Sequence, residues 1–103
     1  MNPEEMKKRT KQFAIRVIRF VESLPNRRTA EVLGRQLLRS GTSVGANYRA
    51  ACRAKSRADF VAKMSIVEEE ADECLYWMEI LIEADLVKAE KVEPLMNETD
   101  EIL

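Results

Sequence analysis

The stretch Gly34–Ala51 reads GRQLLRSGTSVGANYRAA and holds all three glycines of the chain. Apolar residues recur through it at helical spacing. At about 100° per residue, Leu33, Leu37, Val44, Tyr48 and Ala51 fall within about 60° of one another and form a core face. Gly34, Gly41 and Gly45 lie within about 40° of one another on the shoulder of that face. Each costs up to about 1 kcal/mol of helix propensity against alanine. Random placement does not align them. A line of missing side chains lets another backbone approach closely, as in small-xxx-small contacts. A kink near Ser40–Gly45, where serine, threonine and glycine cluster, is the second expectation. The stretch predicts one long helix, capped by Thr29 and carried to about Ala54.

Three more helices surround it in sequence. The first opens on Asn2-Pro3-Glu4-Glu5, a cap, a proline at the first helical position and acids at the positive end. Met6, Thr10, Phe13, Val17, Phe20 and Leu24 make its inner stripe, widened by Ala14, Ile18 and Val21. Pro25-Asn26 ends it. Ser56-Arg-Ala-Asp59 resembles a capping box and starts the third helix. Phe60, Met64, Val67, Ala71, Cys74, Met78 and Leu81 follow at four-three spacing, the strongest periodic signal in the chain. Asp85-Leu-Val-Lys88 is a short turn. The fourth helix points Val92, Leu95, Met96, Thr99, Ile102 and Leu103 inward, with Pro94 in its early turns. No strand pattern or repeat occurs. Short connections predict a single domain over residues 1–103, an all-α, antiparallel up-down-up-down four-helix bundle.

The 103 residues suffice for one modest core. Apolar residues make up 46% and charged residues 34%, a mix that excludes disorder as the class. No run is long enough to span a membrane, and MNPEEMKKRTK lacks the apolar segment of a signal peptide, so a cytoplasmic protein is expected. Cys52 and Cys74 form no close-spaced motif and read as two buried free thiols. The net charge of −1 is unevenly spread. Residues 1–60 hold fourteen Lys/Arg against five Asp/Glu, a net +9, and residues 61–103 hold three against thirteen, a net −10. Either the halves neutralise each other within or between subunits, or the basic half meets nucleic acid.

Second faces point to self-association. Ile66, Trp77 and Ile80 lie about 200–260° round the third helix from Phe60, on an outer face suited to an oligomer interface. Arg35, Arg39, Arg49 and Arg53 share one outer sector of the second helix. Glu68, Asp72, Glu79 and Glu83 form an acidic stripe on the third. The arginines are the candidate salt-bridge or nucleic-acid stripe; phosphate is the outside partner they would take. Ser40, Ser43 and Asn47 share a flank of the second helix that could bind a partner, and are expected to bond locally or to a neighbouring helix instead.

Tests for chemistry fail. The chain has no histidine, hence no Ser-His or Cys-His arrangement, no histidine metal site and no Glu-x-x-His di-iron pattern. No phosphate-binding glycine loop is present. Neither cofactor nor catalytic residue is expected.

Arg39-Ser-Gly-Thr-Ser-Val-Gly-Ala-Asn-Tyr-Arg49, Ala58-Asp-Phe60 and Glu70-Ala-Asp-Glu-Cys-Leu-Tyr-Trp-Met78 resemble the bacterial four-helix-bundle proteins of the 23S rRNA-intervening-sequence type. The specific match runs from about Arg35 to Leu86. The resemblance implies a cytosolic bundle that assembles as a homopentamer. The family name records genes lying within insertions in rRNA genes and assigns no activity. The family is also similar to the accessory protein of diversity-generating retroelements, a basic pentamer that binds a reverse transcriptase and nucleic acid. This chain, with a pI near 5.6, departs from that basic pattern. The leading expectation is a non-catalytic, self-assembling protein, a scaffold for a partner. The alternative is an accessory factor that binds RNA or DNA through the basic face of the second helix.

Overall fold

The computed structural model describes Met1–Leu103 as four helices without a strand. They are α1 (Pro3–Glu22), α2 (Arg28–Cys52), α3 (Arg57–Glu83) and α4 (Ala89–Ile102). The Asn2 side chain accepts the Glu5 N–H at 2.8 Å, which satisfies one of the orphan donors at the start of α1. Ser56 does the same for Asp59 at 3.0 Å, and the Asp59 carboxylate accepts the Lys55 N–H at 3.1 Å. The box therefore closes one residue further out than the usual reciprocal pair. Thr29 is not a cap. The Arg27 N–H donates to the Pro25 carbonyl, this tight turn starts α2 at Arg28, and Arg27 occupies the cap position without an acceptor side chain.

No glycine serves a turn. At the end of α3 the left-handed position falls on Asp85, with φ 59°. The Leu86 N–H reaches the Leu81 carbonyl and the Asp85 N–H the Ile82 carbonyl, both at 3.0 Å. This is a Schellman ending, with buried Leu86 as its apolar clasp. Pro94 lies on the exposed side of the second turn of α4, so the missing N–H falls where water can reach the carbonyl it leaves free.

Helices adjacent in the chain pack side by side, and α4 returns to α1. The contact of α2 with α1 is the glycine line. A Cβ at Gly34 would meet Leu24 and Val21, one at Gly41 would meet Val17, and one at Gly45 would meet Thr10. Numbers rise along α2 as they fall along α1, so the two run antiparallel. The close neighbour of the glycines is thus the chain's own first helix. α2 continues unbroken through Ser40–Gly45, where Ser40, Thr42 and Ser43 donate back to carbonyls three or four residues earlier.

The core joins Phe13 and Val17, Leu37, Val44 and Tyr48, Val67 through Leu81 on the inner stripe of α3, and Val92 and Leu95. Several expected core positions move outward, among them Ile18 of α1 and Leu103 after the end of α4, which are exposed. Phe60 is 42% exposed: in the first turn of α3 it borders an open surface depression with Pro3, Tyr48, Ala51 and Cys52. Leu33 is half-buried. Cys52, the last residue of α2, is exposed, whereas Cys74 is buried against Ser40. Burial pushes the Cys74 thiol up to about 11, so it packs as a small apolar group. Every buried polar side-chain atom has a partner.

Candidate functional site

The four arginines of α2 do not act as one stripe. Arg39 and Arg49 differ by about 80° around the helix, enough to lean toward different neighbours. Arg39 reaches α3, where its guanidinium binds Glu70 at 3.0 Å and also Glu73. Glu73 accepts the Trp77 indole N–H as well. That hydrogen bond first, and Arg39 second, hold its carboxyl below the ordinary range. Arg35 pairs with Glu31 one turn back at 2.5 Å. Neither uses the expected acids. Glu68, Asp72, Glu79 and Glu83 take no ion pair and stay exposed, because they face away from α2, on the other side of α3 from Glu70 and Glu73.

Arg49 and Arg53 are also without a carboxylate partner. They line a surface groove of about 380 Å³ with Glu4, Lys7, Lys8 and Lys11 of α1. A second depression of about 210 Å³ continues it, sharing Lys7, Lys11 and Arg49, over a floor of Thr10, Ala14, Gly45 and Ala46. Small residues at the α1–α2 seam thus open a trough, and cations rim it. Only Glu4 opposes them, through a pair with Lys7 at 3.3 Å on an exposed side chain. The lysines were not legible as site residues in the sequence. The register that sets Gly45 opposite Thr10 would have found them, since it brings Lys7 and Lys11 beside Arg49.

On α3, Ile66 is 42% exposed, and Trp77 and Ile80 are half-buried. Trp77 leans on the core and meets Tyr76 edge to face, with ring centres 5.0 Å apart. Tyr76 and Val61, at 53% and 56%, are the more exposed apolar groups of this helix. Ile15 and Ile18 of α1 and Val32 of α2 are exposed too. Ser40, Ser43 and Asn47 bond within α2, as their helical spacing implies. No three side chains of Cys, Asp or Glu converge as metal ligands. No helix is long and apolar enough to cross a membrane.

Residues 4–103 match the family described as 23S rRNA-intervening sequence protein. The chain belongs to this family. The match takes in all four helices, α1 and α4 included. A solved structure with the same overall form comes from Bacteroides thetaiotaomicron and is described as a protein of unknown function from the S23 ribosomal protein family. It is 40% identical, with a TM-score of 0.90 over 99% of this chain and 91% of that one. No curated protein matches the sequence. For this member of the family, the basic trough and the outer face of α3 are therefore the surfaces from which a role must be argued.

Proposed function

We propose that the chain is a non-catalytic, self-assembling up-down-up-down bundle of the cytoplasm that serves as a scaffold, with a homopentamer as its assembled form. The observation that carries this reading is the outer face of α3. Val61 and Tyr76 are exposed there in the single chain, beside four carboxylates that nothing in the chain neutralises. An aromatic and a β-branched residue among charges on one helix face suit a contact surface. The pentamer count comes from the family resemblance. The non-catalytic reading is supported by the lack of histidine and by the inert burial of Cys74. Static light scattering tests the assembly: the mass of a pentamer of 11.8 kDa chains is expected, and a monomer at micromolar concentration refutes it.

The second reading, an RNA- or DNA-binding accessory factor, is favoured by the trough. Its cations have the character of a phosphate-contacting surface, and the similarity of the family to the retroelement accessory protein supports it. The net charge of −1 counts against a strong non-specific field.

A further inference from the structure

The geometry points to the α1–α2 trough as the socket for the outer face of α3 from a second copy of this chain. The inference rests on the self-assembly reading and names its two surfaces. Lys8, Lys11, Arg49 and Arg53 have no carboxylate partner, and neither have Glu68, Asp72, Glu79 and Glu83. Within one chain the two sets cannot meet. α1 packs on α2 and α4 but not on α3, so α1 and α3 are diagonal in the bundle. The trough opens on the α1–α2 side, whereas the acidic stripe lies on the side of α3 turned from α2.

Each surface also carries apolar groups. Ile15 and Ile18 extend the α1 side of the trough, and the run from Lys7 to Ile18 is about 17 Å long. Tyr76 stands amid the acidic stripe, which covers about 22 Å from Glu68 to Glu83. Opposite charge with matched apolar content is what a specific contact between copies needs. Because the two surfaces differ, the contact is head-to-tail, and repeating it closes a ring if the rotation allows. The small floor of Thr10, Ala14, Gly45 and Ala46 leaves room for Tyr76 between the rimming Lys7, Lys11 and Arg49.

Reciprocal charge reversal tests this. Arg49→Glu with Arg53→Glu takes the trough of Glu4, Lys7, Lys8, Lys11, Arg49 and Arg53 from a net +4 to 0, and Asp72→Lys with Glu79→Lys takes the stripe of Glu68, Asp72, Glu79 and Glu83 from −4 to 0. Each double variant should fall from the wild-type mass to that of one chain in light scattering, with helical circular dichroism retained, since all four positions are exposed. The quadruple variant restores opposite charge at the four substituted positions, with the signs exchanged, and should recover the wild-type mass. As a milder probe, Arg49→Gln with Arg53→Gln should dissociate at lower salt than wild type. Double variants that keep the wild-type mass, or folded double variants whose loss the quadruple variant does not repair, overturn the inference while leaving self-assembly standing. A monomeric wild type overturns self-assembly itself. An intact Arg49→Glu, Arg53→Glu oligomer that no longer binds an RNA oligonucleotide bound by wild type assigns the trough to phosphate and also overturns the inference.

Discussion

Gly41 has Val17 where its side chain would be. A Cβ built there lies 2.8 Å from both Val17 methyl carbons, inside any real contact. Gly34 is looser, with the flexible end of Leu24 at 3.0 Å. The two alanine substitutions should therefore differ, although both gain about 1 kcal/mol of helix propensity. We expect Gly41→Ala to destabilise by about 1–3 kcal/mol as an overpacked seam. Gly34→Ala should be neutral or stabilising by up to about 1 kcal/mol, as Leu24 moves aside. Urea midpoints of both variants check this. The angular alignment of the glycines revealed in the sequence that a backbone approaches α2. It did not reveal whose, because one chain's own helix and a second copy's ask for the same gap. Asp85 supplies a further case. It holds a left-handed φ of 59° that an L-residue adopts at a cost. Asp85→Gly should raise the thermal midpoint, by the equivalent of about 0.5–1 kcal/mol, and Asp85→Ala should lower it. Nothing in the turn Asp85–Lys88 signals this in sequence, since aspartate stands where glycine is usual.

At the scale of elements, helix positions were legible because apolar spacing marked every segment and the caps Asn2 and Ser56 marked the starts of α1 and α3. The clearest errors fall at ends, although Ile18 and Leu33 stand further in. Phe60 keeps the period of α3 yet stands in its first turn at an open depression, and Cys52 keeps the pattern of α2 yet sits at its last residue. Periodicity reports direction around a helix and is silent on where the partner stops. Ion pairs between helices were equally hidden, since they depend on register. Arg9 of α1 binds Glu98 of α4 through two bonds of 2.8 Å and also reaches Glu101. The Arg9 hydrogen bonds hold the Glu98 carboxyl below its ordinary value of 4.5. A depressed folded value gives stability that is fully present above 4.5 and lost as pH falls through the folded value. Arg9→Gln should thus lower stability at neutral pH. It should also make the loss on acidification shallower, because Glu98 then titrates nearer its unfolded value. Urea unfolding of both proteins at neutral pH and at about pH 4 reads this, and parallel pH profiles would contradict it.

For the whole molecule, the charge asymmetry of the sequence has a spatial meaning. The two basic helices and the acidic third helix do meet along α2 and α3, but only through Arg39 with Glu70 and Glu73. Of the rest, Arg9 and Arg35 pair elsewhere, while Lys8, Lys11, Arg49 and Arg53 on one side and Glu68, Asp72, Glu79 and Glu83 on the other are turned outward. The sequence carried the stripes without their allocation, because a helical wheel cannot say which neighbour each side of a helix faces. A single copy exposing such surfaces, together with Val61, Ile66 and Tyr76, is the unit of an assembly in this account. The most direct measurement is light scattering of the wild-type protein across salt concentrations. The account predicts a homopentamer of 11.8 kDa chains at low salt that shifts toward single chains as salt screens the contacts between copies. A single-chain mass at micromolar concentration and low salt would contradict it.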